Sequence, residues 1–166
     1  MTKTDGFLKE AYAGESQANR RYTAFAIKAD QDGYPQAARL FRAAAEAEAV
    51  HAANHLRAMK GVKSTKENIR EALAGETHEF KEMYPEMIDA SKAEGNKIAE
   101  RTFTYANEVE KVHANLYHWM LDNLEETSKE SYPYYVCPVC GLTAEREPPE
   151  VCPVCGARGD LFKKIE

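Results

Sequence analysis

Two near-identical motifs, Cys137-Pro-Val-Cys140-Gly141 and Cys152-Pro-Val-Cys155-Gly156, place four thiols close together near the end of the chain. Four thiolates in two C-x-x-C pairs make a tetrahedral site for Zn(II) or for a single iron. The glycine that follows each pair lets backbone amides turn toward the sulfurs. On spacing alone a structural zinc ribbon and an iron centre both fit, and either metal would supply the folding free energy of so small a module. A second set of donors lies upstream. Glu48-x-x-His51 and Glu110-x-x-His113 each set a carboxylate and an imidazole one helical turn apart on the same face, so that the carboxylate can bridge while the imidazole binds one ion. Glu15, Glu76 and Glu79 fall on neighbouring helical stripes. Hard oxygen donors with two imidazoles suit iron or manganese, and five carboxylates with two histidines carry charge enough for two ions.

Helices must position these groups. Leu8, Tyr12, Glu15, Asn19, Tyr22, Ala26 and Ala29 recur at steps of four and three, one face of a first helix that Gly33-Tyr34-Pro35 breaks. Phe41, Ala44, Glu48, His51, His55 and Met59 mark a second, before Gly61. Ser64 or Thr65 can cap a third, with Ile69, Leu73, Glu76, Glu79 or Phe80, Met83 and Met87 on its stripe, and Gly95 ends it. Ala99, Phe103, Ala106, Glu110, His113, Tyr117, Met120 and Leu124 define the fourth. Four amphipathic helices of about 25 to 30 residues predict a four-helix bundle.

The chain also repeats itself. Ala13-Gly14-Glu15-Ser16 returns 61 positions on as Ala74-Gly75-Glu76-Thr77, while Tyr22, Gly33 and Glu48-x-x-His51 return 62 positions on as Tyr84, Gly95 and Glu110-x-x-His113. One helical hairpin has been duplicated. Measured from its turn glycine, each of the seven donors lies 15 to 19 residues away, about 25 Å at 1.5 Å per residue. Seven donors at one height should converge. Five carboxylates in an apolar core would cost several kcal/mol per ion without cationic compensation, and no Lys or Arg shares their stripes. Glu on two helices with Glu-x-x-His on the other two resembles the ligand pattern of ferritin-like di-iron proteins.

Other polar residues read differently. His55 belongs at the core edge or behind the ligands, His78 and His118 in solvent, and Glu46 and Glu108 on a solvated face. Tyr22 and Tyr84 either pack the core or donate their phenols to ligand carboxylates. The counterpart of Glu79 in the first hairpin is Ala18. Glu79 is therefore the asymmetric ligand, able to make the two metal positions inequivalent.

Composition bounds what remains. The 166 residues are 43% hydrophobic and 30% charged, which is globular rather than disordered, with a formal net charge of −5. A mildly acidic chain lacking a basic patch argues against nucleic acid. No apolar run reaches the roughly 20 residues of a membrane span, and the start has no signal core, so a cytoplasmic protein is expected. Thiols there stay reduced, which favours metal over disulfides. Only Pro35 and Pro85 precede residue 132, while five prolines crowd 133–153. Two domains are expected, an all-α one over 1–130 and a metal-stapled one over 134–166, with Tyr134, Tyr135 and Phe162 packed around its metal.

Taken together, the Ala-Gly-Glu-Ser and Ala-Gly-Glu-Thr helices, both Glu-x-x-His motifs, Glu82-Met-Tyr-Pro85 and the paired Cys-Pro-Val-Cys-Gly knuckles closely resemble the rubrerythrin family. The resemblance covers nearly the whole chain. It implies a ferritin-like four-helix bundle with a C-terminal rubredoxin-like domain. It also implies two non-haem irons on Glu15, Glu48, His51, Glu76, Glu79, Glu110 and His113, and one iron on Cys137, Cys140, Cys152 and Cys155, with zinc able to replace it in recombinant protein. It implies a peroxidase that reduces hydrogen peroxide to water in oxidative-stress protection, with Glu79, Tyr22 and Tyr84 taking part in catalysis. Electrons would come from NAD(P)H through a separate reductase, often with a free rubredoxin, and pass one at a time through the cysteine iron. On the resemblance, Glu79 and His51 exchange on one iron with redox state. The family implies a homodimer in which the cysteine centre of one chain lies near the di-iron site of the other. A ferroxidase or oxidase using dioxygen, and an iron-binding or storage protein with a zinc ribbon, are the alternatives.

Overall fold

The computed structural model describes residues 2–127 and 131–166. The expected start of the first domain at Met1 and its end at residue 130 lie outside the described residues. The chain forms two compact units, one ending at Lys63 and the other Ser64–Glu166.

The first unit is a helical hairpin. Thr2 caps α1 (Lys3–Gln31) and exchanges hydrogen bonds with Asp5 in a capping box, so the first orphan amides of the helix are satisfied locally. Gly33 turns the chain, and Pro35 opens α2 (Pro35–Ala58), where its missing N–H costs nothing. The residues buried in the hairpin are Ala26 and Ala29 of α1 and Ala38, Ala45 and Ala52 of α2. Small side chains let the helices approach closely, and Asn19 of α1 donates to the Ala45 carbonyl of α2 at 2.7 Å. Toward the turn, Tyr22, Phe25 and Phe41 form an aromatic cluster with ring centroids 5.5 to 6.3 Å apart.

The second unit begins with a repeat of this design. Ser64 caps α3 (Thr65–His78) in a capping box with Glu67. The third stripe is not one continuous α-helix, however: a π-helical turn, Glu79–Met83, separates α3 from α4 (Tyr84–Ala93). A π turn holds one residue more than the α-helix around it. The repeat spacing grows from 61 to 62 between Glu76 and Tyr84, so the extra residue of the second hairpin falls where the π turn lies. This is also why both Glu79 and Phe80 fitted the stripe. Gly95 then turns the chain, and Asn96 caps α5 (Lys97–Asp122), which packs against both α3 and α4. A short α6 (Leu124–Thr127) follows.

The cysteine module is a three-stranded antiparallel sheet of order β2-β1-β3, from β1 (Tyr134–Val136), β2 (Thr143–Glu145) and β3 (Lys163–Ile165). Its core is Cys137, Leu142, Cys152 and Phe162, joined by Val109 of α5, which is only 1% exposed. Tyr135 packs against this core as expected from the sequence, and Val112 of α5 does so too. A module this small cannot bury enough surface alone, and a helix residue completes it.

Candidate metal centres

Each Cys-Pro-Val-Cys-Gly knuckle ends on a glycine in the left-handed region, φ 86° at Gly141 and 78° at Gly156, a conformation that side chains resist. The turn aims amides at sulfur: Cys137 accepts from the N–H groups of Val139 and Cys140, Cys140 from that of Leu142, and Cys155 from that of Ala157. Burial opposes the Cys137 thiolate, but these N–H donors prevail and bring its pKa down to about 7. The sulfurs of Cys137 and Cys155 are 3.6 Å apart and those of Cys140 and Cys152 3.5 Å apart, and all four lie within 4.8 Å of one another without a disulfide. A tetrahedral metal–sulfur bond of about 2.3 Å puts its sulfurs roughly 3.8 Å apart, so the four thiols fit a bound iron or zinc.

The carboxylates and histidines gather in two clusters of the same geometry. In the first unit, His51 Nδ1 is 2.8 Å from Glu48 Oε2 and 3.9 Å from Glu15 Oε1. In the second, His113 Nδ1 is 2.7 Å from Glu110 Oε2 and 3.9 Å from Glu76 Oε2. One donor atom from each member lies within 4.8 Å of the others in its cluster, close to the span of ligands around one ion. The sequence duplication is thus a duplication of metal-binding geometry, and the donor sets fit hard or borderline divalent ions.

The two clusters differ in their surroundings. The His51 side chain is 54% exposed, and its ring meets Glu48 and Glu15 through Nδ1 alone among the described residues. His113 is 26% exposed and held at both ring nitrogens, because Nε2 lies 2.9 Å from Thr143 Oγ1 on β2. The family resemblance implied that the cysteine centre approaches the carboxylate site of a partner chain. Within one chain the cysteine module also reaches His113, where Val109, one turn back along α5, and the adjacent Val112 pack against the module's core.

Burial, then a hydrogen bond and the charge of Glu110, push the Glu76 carboxyl up to about 7. Glu110 itself is raised, chiefly by burial, with the Glu76 hydrogen bond opposing and Glu79 adding. Glu79, at the head of the π turn, is raised by burial and the charge of Glu76, yet its carboxylate lies outside the three-residue cluster. Tyr84 packs beside Phe103 and is raised by burial and by Glu79, Glu110 and Glu76, which places it among the carboxylates. Tyr22 sits in the aromatic cluster of the first hairpin. Neither phenol hydrogen-bonds a carboxylate among the described residues. His78 pairs with Glu82 and His118 with Asp122 on exposed surfaces, Glu108 pairs with Lys111, Glu46 is exposed, and His55 is half-buried.

A cavity of about 400 Å³ opens beside the second cluster, with Glu76 and His113 on its wall and Tyr117, Tyr134 and Thr143 around them. Sequence reasoning singled out none of these three as site residues. Tyr117 shared the helical stripe of His113 and so carried a signal; Tyr134 and Thr143 lie in short strands with none.

Paired Glu and Glu-x-x-His clusters on two helical hairpins, in one chain with a four-sulfur module, define a mainly helical four-helix-bundle metalloprotein with a small rubredoxin-like domain. The rubrerythrin family model matches residues 6–121, and the model of the rubrerythrin rubredoxin-like domain matches 135–163. The chain is 38% identical to rubrerythrin-2 of Clostridium acetobutylicum, over 96% of this chain and 95% of that one. It is 33% identical to the rubrerythrin of Porphyromonas gingivalis, over 89% and 82% of the two chains. The solved structure of fully reduced, all-ferrous nigerythrin aligns with a TM-score of 0.60 at 32% identity, covering 99% of this chain and 88% of that one. The chain belongs to the rubrerythrin family. It is a redox-active member with candidate di-iron carboxylate clusters and a cysteine cluster of the rubredoxin type.

Proposed function

We propose that the protein is a non-haem di-iron peroxidase, reducing hydrogen peroxide with two electrons and two protons to two molecules of water. One observation carries this reading: a single chain holds both the duplicated carboxylate–histidine clusters and a four-sulfur cluster whose module hydrogen-bonds to His113. Glu15, Glu48, His51, Glu76, Glu110 and His113 would hold the two irons, with Glu79 as the ligand that joins or leaves as their charge changes. Bound as a ferrous pair, the irons would supply the two electrons that O–O cleavage takes and stabilise the hydroxide it releases.

The chain's own groups handle position and protons. Glu76 lines the cavity wall beside His113, so a molecule entering the cavity meets the cluster at this carboxylate. Tyr84 stands among the same carboxylates and stays protonated, a donor ready to steady them, and Tyr22 is its counterpart in the first hairpin. Iron held by Cys137, Cys140, Cys152 and Cys155 would supply electrons singly, drawn from NAD(P)H through a separate reductase or a free rubredoxin. We take the working domains as 1–130 and 134–166, the assembly as a homodimer and the compartment as the cytoplasm. No helix among the described residues is long and apolar enough to cross a membrane.

Anaerobic stopped-flow spectroscopy tests the reading. Peroxide should oxidise the reduced iron pair faster than dioxygen does at equal concentration. A dioxygen reaction as fast or faster would make the protein an oxidase instead.

A further inference from the structure

The hydroxyl of Thr143 sits between two partners. Its oxygen is 2.9 Å from His113 Nε2 and 3.4 Å from the Gly141 carbonyl, a group that can only accept. A hydroxyl has one proton. With that proton directed to Gly141, the oxygen is left to accept, and the group placed to donate to it is His113 Nε2 whenever that nitrogen carries the ring proton.

The other ring nitrogen faces the carboxylates, with Nδ1 2.7 Å from Glu110 and 3.9 Å from Glu76. A neutral imidazole that gives its Nδ1 lone pair to a metal must carry its proton on Nε2, and that N–H needs an acceptor fixed in direction. Thr143 supplies one from outside the helix. Gly141 closes the first knuckle and cannot drift, because Val109 packs near it and its own amide donates to the Cys137 carbonyl at 3.0 Å. Among the described residues the cluster of the first unit has no such support, and the partners of His51 lie at Nδ1 only.

We infer that Thr143 of the cysteine module is a positioning residue for His113, holding the ring in the Nε2–H form with Nδ1 turned to the metal. The inference rests on the metal-centre reading of Glu76, Glu110 and His113. It also separates the two histidines by role: His113 is braced by α3, its own helix and β2, and His51, among the described residues, by α1 and its own helix.

The test uses the full-length chain with its cysteine site filled by zinc, titrated with further zinc and followed by NMR of ¹⁵N-labelled histidine. In the unaltered protein His113 should bind through Nδ1 and show a slowly exchanging Nε2–H. Thr143→Val, which keeps the shape and removes the hydroxyl, should weaken zinc binding at the Glu76–Glu110–His113 cluster about 10- to 100-fold and speed Nε2–H exchange at least about tenfold. Thr143→Ser should restore both to within about a factor of three. Coordination through Nε2 in the unaltered protein would overturn the inference without any variant. So would unchanged affinity and exchange in the valine variant, or equal losses in valine and serine, which would reduce the effect to packing. Zinc that fails to bind the cluster at all would remove the metal-centre reading and this inference with it.

Discussion

Glu76 of α3 and Glu110 of α5 face each other beside the cavity, each with a carboxylate oxygen within 4.8 Å of the other's. Two carboxylates this close repel one another unless one of them holds a proton, and a divalent ion placed between their oxygens would take that proton's place. Glu76 is raised from 4.5 to about 7, so at pH 6 the metal-free cluster keeps a proton that metal must expel. Metal affinity at this cluster should rise about tenfold per pH unit up to pH 7 and level off above it. Titrating Co(II) calorimetrically in buffers of different ionisation enthalpy checks this, and a flat profile between pH 5 and 7 would contradict it. The sign for stability is opposite. A carboxyl whose folded pKa is raised binds more protons when folded, so its contribution is favourable below pH 4.5 and declines as pH climbs toward 7. The metal-free protein should lose stability over that window, and Glu76→Gln should flatten the loss.

The π turn sets a second expectation. Deleting the exposed Lys81 removes the extra residue and lets 79–83 close into ordinary α-helix, turning the chain beyond it by about 100° relative to Glu76. Since α3 and α4 both pack on α5, one of them must then leave its face. The variant should keep its far-UV circular dichroism, melt at lower temperature and bind metal at the second cluster at least about tenfold more weakly. Unchanged metal affinity would mean that the extra residue has no bearing on the cluster.

Cys152→Ser removes a buried sulfur from the tetrahedron. Three thiolates and a hydroxyl hold metal poorly, and a module of this size depends on it. Visible ferric-thiolate absorption should vanish and steady-state turnover should fall at least about a hundredfold. The chemically reduced carboxylate irons should still react with one equivalent of peroxide at close to the normal rate. Loss of that single turnover as well would place the cysteine site in the chemistry itself.

Val109→Ala opens a hole in the cysteine module from the helix side. Removing two buried methyl groups there should cost about 2 kcal/mol. Hydrogen exchange should quicken first in β1 and β2, because their core loses its cover, while α1 and α2 keep their protection. Equal quickening throughout the chain would show that the loss is global.

The donors were legible because a ligand set imposes spacing that survives without the fold. Glu-x-x-His needs three residues to bring both groups to one helix face, C-x-x-C needs two between its sulfurs, and the duplication printed each pattern twice. Ser64, Gly33 and Gly95 marked helix ends for equally local reasons. Thr143 and Val109 were not legible, since each matters through a contact with a residue about 30 positions away and neither belongs to a periodic pattern. The π turn lay between these cases. Its trace was the step from 61 to 62 in the repeat, an arithmetic irregularity that has a structural meaning only once the helix is seen to bulge.

Val109 and Glu110 are neighbours in the chain, about 100° apart around α5, one in the core of the knuckles and the other in a carboxylate cluster. The seam between the two matched families therefore does not run where the gene could be cut. Separating the coding sequence near residue 130 would release a knuckle module with a valine-shaped gap and a helix with an apolar residue newly wetted beside its ligand. A foreign rubredoxin grafted in its place would have to bring both a socket for Val109 and a hydroxyl for His113, so the C-terminal part and its helix make one folding and functional unit.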